Sequence, residues 1–261
     1  KGQSGSAELE FLRLGKDGQG FSVERRKPGI YRLTLGNQTK PLGQSADFRP
    51  QRSFAFSPST LNKLGVQGEV IRPVGPALLD ELGRIIYLGP VRRLAQRDYV
   101  WAGRMPAYIG DDGAKAVDAL IASGVACQQA KRRSQALPAE AYLFEQTVHW
   151  LKEMNLAHGL SIRALGNSAR HELLVETDGQ ASNLKDVGVG VSQVLPVIVA
   201  ALFAQPGHIV IVEEPESHLH PLAQSKLAEL LAQVSKERNV QFIVETHSEH
   251  LFRRMQTLIA R

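Results

Sequence analysis

Apolar positions change their period along the chain, and each change marks an element. Residues 8–14, 21–26 and 30–35 are short β-prone runs separated by Lys16-Asp17-Gly18 and Pro28-Gly29. Turn residues at such intervals predict an antiparallel meander. From 36 to 76 the chain is rich in Gly, Pro, Ser and Gln without a clear period, and is expected to be mostly loop. Residues 84–88 (RIIYL) read as a buried strand that ends at Gly89-Pro90. Helices are expected over 114–123 and 139–154. In the second, Leu143, Val148 and Leu151 recur at helical spacing, which predicts one buried face. Short strands at 161–165 and 172–176 follow, with a turn at Asp178-Gly179.

The last third has a different rhythm. A Gly-rich loop over 186–191 runs into an apolar helix at 192–204. A strand at 208–212 comes next, continuously apolar at 209–212 as a sheet covered on both faces requires. A helix near 221–235, a second apolar strand at 240–244 and a final helix from about Ser248 complete the pattern. Helices alternating with apolar strands predict an α/β fold with a mainly parallel sheet. The expected organisation is a β-rich lobe over 1–90, a helical segment over 91–158 and the core over 159–261.

Composition adds bounds. With 261 residues, 43% hydrophobic and 22% charged, the chain has the make-up of a soluble globular protein with a sizeable core. The single cysteine, Cys127, excludes an intrachain disulfide framework and points to a reducing, cytoplasmic setting. No signal peptide is recognisable. The most apolar stretch, 194–204, contains Pro196 and is too short to span a bilayer, so no membrane partner is expected.

Charge is uneven. Residues 1–135 carry 21 basic against 12 acidic side chains, and residues 136–261 carry 10 against 14. Clusters at Arg25-Arg26-Lys27, Arg92-Arg93 with Arg97, and Lys131-Arg132-Arg133 suit either phosphate contact, including DNA, or an ordinary mixed-charge surface.

Chemistry concentrates near the C-terminus. Ile209-Val210-Ile211-Val212 is followed by Glu213-Glu214-Pro215-Glu216, so acids appear where a buried strand leaves its sheet. Ligands of open α/β sheets bind at that end. Adjacent carboxylates there suit a Mg²⁺–phosphate site, with Glu213 holding the metal or its water shell and Glu214 orienting a water. An acidic first turn of a helix is the plainer alternative. A second strand, Phe242-Ile243-Val244-Glu245, leads to Thr246-His247-Ser248. Parallel neighbours exit side by side, which would bring His247 near Glu214. Upstream, Gly188-Val189-Gly190-Val191-Ser192-Gln193 opens an apolar helix, where amides and the Ser192 hydroxyl can receive an anion.

In this order the three segments resemble the signature, Walker B, D-loop and H-loop series of ABC-type ATPase heads. The likeness is to the soluble AAA-like branch related to the OLD family and the Rad50/SMC heads. Glu213-Glu214-Pro215-Glu216-Ser217-His218-Leu219-His220-Pro221 and Thr246-His247-Ser248 through Leu251 carry it, and Tyr87-Leu88-Gly89-Pro90-Val91-Arg92 is also similar to a segment of that branch. The resemblance implies a P-loop NTPase fold of ABC-type head with a helical insertion, ATP as substrate and Mg²⁺ as cofactor. It implies Glu213 as the Walker B acid and metal residue, Glu214 as the catalytic glutamate and His247 as the switch histidine. Gly188, Gly190, Ser192 and Gln193 would bind nucleotide held by a partner subunit. Ser217, His218 and His220 would lie in the D-loop at a dimer interface. A homodimer or higher oligomer follows, as does work on or beside DNA, in repair or anti-phage defence, with a nuclease partner.

One part of that pattern is missing. Nowhere does G-x-x-x-x-G-K-[ST] occur, and Gly15-Lys16 is followed by Asp17 without the upstream glycine. The resemblance puts such a loop N-terminal to every segment above, so it is expected upstream of Lys1 or on a different polypeptide. Two other functions compete: a metal-dependent nuclease or hydrolase built on Glu213, Glu214, His218, His220, His247 and His250, and a degenerate, non-catalytic dimerisation module.

Overall fold

The computed structural model describes residues 11–16, 19–27, 30–35, 38–41 and 55–260. The chain divides into two compact units, residues 1–83 and 84–261.

In the first unit, β1 (Phe11–Lys16), β2 (Gln19–Lys27), β3 (Ile30–Leu35) and β4 (Gln38–Pro41) form a four-stranded antiparallel sheet in sequence order. The expected meander is there, with a fourth strand added and residues 8–10 outside the described ones. The expectation of loop from 36 to 76 fails for much of its length. Helices α1 (Pro58–Lys63), α2 (Val66–Ile71) and α3 (Val74–Gly83) occupy it, while residues 42–54 lie outside the described set. Helices of six residues are too short to display a period, and they depend on caps and packing. Ser57 caps α1 by accepting from the Thr60 amide, and Pro58 stands in its first turn. Leu61, Leu64 and Ile71 then bury themselves against Val23, Tyr31 and Leu33 of the sheet.

The second unit holds two sheets. The parallel one has the order β11-β10-β5, with β5 (Ile85–Leu88), β10 (Ile209–Glu213) and β11 (Gln241–Glu245). Their register aligns Val212 with Leu88 on one side and Glu213 with Glu245 on the other. The antiparallel sheet runs β6 (Tyr99–Val100), β8 (Arg170–Thr177), β7 (Gly159–Ala164), with β9 (Gln180–Asn183) paired to β8. Around them stand α4 (Ala116–Arg132), α5 (Tyr142–Glu153), α6 (Val189–Phe203), α7 (Pro221–Arg238) and α8 (Glu249–Ile259). The fold is mixed α/β with a parallel sheet, as the sequence predicts. No helix among the described residues is long and apolar enough to cross a membrane.

The core of this unit is built on α6. Val194, Leu195, Ile198, Val199 and Leu202 are all buried, and they share one cluster with Leu120 and Ile121 of α4, Leu151 of α5 and Leu227 and Leu231 of α7. Each such side chain contributes about 1.5–3 kcal/mol relative to exposure. Apolar all round, α6 needs neighbours on every side, which fixes where its first turn must lie. The parallel sheet is less symmetric than its sequence suggests. Leu88, Val210 and Val212 are buried, whereas Ile85, Tyr87 and Ile243 keep more than a third of their surface exposed. A continuous apolar run does not by itself guarantee two covered faces.

Candidate functional site

The site forms where β10 and β11 leave the parallel sheet. The Glu214 amide donates to the Glu245 carbonyl at 2.8 Å, so pairing continues one residue beyond the last ladder position. The chain then turns sharply. Glu214 takes φ +43° and His218 φ +65°, both left-handed. Such a backbone costs a side-chain-bearing residue about 1–2 kcal/mol and persists only where surrounding bonds hold it. Here the Ser217 amide donates to the Glu214 carbonyl at 3.2 Å, and the Leu219 amide to the Glu216 carbonyl at 3.0 Å. His220 closes the turn by capping α7: its Nδ1 accepts from the Ala223 amide, and Pro221 follows at the first helical position.

Each carboxylate of this turn has a different partner. Glu213 Oε1 accepts from the Tyr87 phenol at 2.8 Å, and this bond raises the phenol's pKa above its ordinary value. Glu214 Oε2 accepts from Ser217 Oγ at 3.1 Å. Glu216, only 8% exposed, accepts the His247 amide on Oε1 at 2.8 Å, so it links the two strand exits from beneath. Gln224 of α7 makes a second link. Its Nε2 donates to the Leu219 carbonyl, and its Oε1 accepts from Ser248 Oγ at 2.6 Å. Ser248 Oγ in turn accepts from the Leu251 amide and caps α8.

These bonds leave the Glu214 carboxylate and the His247 imidazole facing one cleft. Its volume is about 430 Å³, and Ser217, His218, Glu249 and His250 also line it. Two adjacent parallel strands thus deliver an acid and an imidazole to one place, as the sequence predicts. No three of the His, Cys, Asp and Glu side chains among the described residues are placed to hold a metal ion.

The Gly-rich segment departs from expectation. Its helix begins at Val189, with Gly188 as N-cap, three residues before the predicted Ser192. Residues 184–186 form a short 3₁₀ turn capped by Asn183. Gly190, inside the first turn of α6, explains the difference. A Cβ there would stand 2.8 Å from the His218 carbonyl oxygen, so the missing side chain lets α6 begin directly against the turn that carries Glu214. Ser192 Oγ bonds back to the Val189 carbonyl at 3.0 Å, and Gln193 is buried. Gly188, Gly190, Ser192 and Gln193 do not line the cleft of Glu214 and His247.

The basic clusters are largely engaged within the chain. Arg93 pairs with Asp112 at 3.0 Å, Arg97 with Asp186 at 2.8 Å, Lys131 with Glu145 at 2.8 Å and Arg26 with Glu24 at 2.9 Å. Arg92 is buried. Of the two readings open at the sequence level, mixed-charge surface fits these residues better than a phosphate grip. Sequence reasoning gave Arg92, Tyr87, Glu216 and Gln224 no part in the site. The position of Tyr87, Arg92 and Glu216 in segments of family-like sequence hints at one.

Residues 127–253 match the family model described as "AAA domain, putative AbiEii toxin, Type IV TA system". Among solved structures, the chain is similar to an SMC head bound to the C-winged helix domain of ScpA, with 14% identity over 97% of this chain and 71% of that one, at a TM-score of 0.43. It is also similar to the Pyrococcus furiosus Smc head bound to the C-terminal domain of ScpA, at 14% identity, 97% and 74% coverage and a TM-score of 0.39. The Thermotoga maritima SMC head domain follows, at 13% identity, 94% and 65% coverage and a TM-score of 0.36. No protein of curated function matches the sequence. Residues 127–253, just under half of the chain, are thus similar to an AAA-family domain.

Proposed function

We propose that this chain supplies the hydrolytic part of an ABC-type ATPase head. The observation that supports this reading most is the shared cleft of Glu214 and His247 at adjacent parallel strand exits, inside the segment similar to an AAA-family domain. In this reading Glu214 orients the attacking water, and its bond from Ser217 fixes the carboxylate. His247, exposed at the mouth of the cleft, meets the γ-phosphate and helps position the nucleophile.

Glu213 suits Mg²⁺. One oxygen is taken by Tyr87, the second makes no protein hydrogen bond among the described residues, and Mg²⁺ characteristically uses one or two carboxylates beside phosphate oxygens and water. When bound, the ion neutralises phosphate charge; the protein residues orient and hold the reactants.

The start of α6, with Gly188, Gly190, Ser192 and Gln193, serves in this reading as an anion site for nucleotide held by a second subunit. Ser217, His218 and His220 then face the dimer interface. A role beside DNA in defence or repair, with a nuclease partner, completes the proposal. The test is sedimentation of the natural polypeptide carrying the Glu214→Gln change, with and without Mg²⁺ and ATP. A stable ATP-dependent dimer supports the reading, and an unchanged mass with saturating nucleotide refutes it.

A further inference from the structure

Arg92 is 4% exposed, one of the most deeply buried charged residues among those described. Its Nη2 donates to the Glu213 carbonyl at 2.6 Å and the Glu214 carbonyl at 3.0 Å. Its Nε and Nη1 are buried and make no hydrogen bond, and neither does Glu216 Oε2. Burial draws the guanidinium pKa down, while the charges of Glu216 and Glu214 push it up, so the cation sits opposite the two acids that flank Pro215. An incompletely bonded buried cation is costly, and stability alone gives no reason to keep it. A reason appears in what Nη2 holds. The two carbonyls it grips bracket the backbone that swings into the left-handed region at Glu214.

We propose that Arg92 is a positioning residue: its buried guanidinium clamps the carbonyls of Glu213 and Glu214 and so holds the strained turn that aims the Glu214 carboxylate into the cleft. This role rests on the ATPase reading of Glu214. It separates Arg92 from its neighbour Arg93, which is half exposed and spends its charge on Asp112. It also gives the segment after β5 a task. Gly89 donates its amide to the Asp111 carbonyl and Arg93 its amide to the Asp112 carbonyl, so the chain on both sides of Arg92 is anchored and the guanidinium has a fixed base.

The test compares wild type, Arg92→Gln, Arg92→Lys, Glu214→Gln and the Arg92→Gln/Glu214→Gln double variant of the natural polypeptide. Steady-state ATP turnover and site-resolved amide hydrogen exchange are measured on each. Arg92→Gln is expected to lower kcat about 10–100-fold, the size of effect that small misplacements of a reacting group produce, with KM for ATP changed less than about twofold. The loss should disappear when Glu214 is already Gln, because a residue acting through Glu214 has nothing left to position. Exchange should quicken at the amides of Glu214, Ser217 and Leu219 and stay unchanged in α4 and α5. A variant that is merely destabilised speeds exchange everywhere.

Arg92→Lys, which keeps the charge and one donor, should recover part of both effects and serves as the probe where the Gln variant does not fold. Unchanged exchange at the turn, or a kcat loss that persists undiminished in the Glu214→Gln background, overturns the proposal. If wild type turns over no ATP, the ATPase reading itself fails, and exchange alone then decides whether Arg92 holds the turn.

Discussion

The phenol of Tyr87, the third residue of β5, donates to the carboxylate of Glu213, the last residue of β10, across 2.8 Å. The two residues are 126 positions apart in sequence, and only the parallel pairing of their strands brings them together. A hydrogen bond to a carboxylate that holds a metal or its water shell sets which oxygen stays free for that task. Tyr87→Phe removes the bond and little else. The Mg²⁺ concentration for half-maximal ATP turnover is expected to rise at least about tenfold, the lower end of what losing a supporting partner costs. A Mg²⁺ titration checks this, and an unchanged midpoint would separate Glu213 from the metal.

Glu214 occupies a backbone region suited to glycine. Glu214→Gly therefore relieves about 1–2 kcal/mol of strain while losing the Ser217 bond, worth about 0.5–1.5 kcal/mol. Unfolding in urea should show no net loss of stability, although catalysis disappears. A fall of more than about 1 kcal/mol would mean that the turn is held by the Glu214 side chain more than by its backbone bonds.

Gly190 tests the contact between α6 and the turn. Gly190→Ala puts a methyl 2.8 Å from the His218 carbonyl oxygen, a backbone atom that cannot swing aside. The expected cost is about 1–3 kcal/mol, read as a lower urea midpoint at constant slope. A neutral or stabilising result would show that α6 and the turn separate easily.

Cys127 is buried on α4. Burial pushes its thiol's pKa up, and its hydrogen bond to Glu145 adds to the rise. The protonated form is favoured as pH rises past the ordinary thiol range, so alkylation of the native chain at pH 8 should run at least about tenfold slower than in denaturant. Comparable rates would contradict the burial.

Much of the second unit was legible because its elements are long and their signals agree. The apolar runs of β10 and β11, the acids after the first and Thr246-His247-Ser248 after the second together placed the cleft. The short helices of the first unit were not legible. Six-residue helices show no period, and α1 and α2 are held by Leu61, Leu64 and Ile71 packing on a sheet formed by distant residues. The early start of α6 was hidden for a similar reason. Gly190 looks like loop in sequence, and its helical place follows from a close approach to His218 that no local pattern encodes. In sequence Arg92 stands in a basic cluster with Arg93 and Arg97 that suits either phosphate contact or a mixed-charge surface. Its burial depends on a carbonyl pair 121 and 122 residues away.

The central claim is that Glu214 orients the water that hydrolyses ATP. Single-turnover ATP hydrolysis by the natural polypeptide in Mg²⁺, beside its Glu214→Gln variant, tests it most directly. The account predicts that the variant binds ATP as wild type does and hydrolyses it at least about a hundredfold more slowly. Hydrolysis by the variant at the wild-type rate would contradict it.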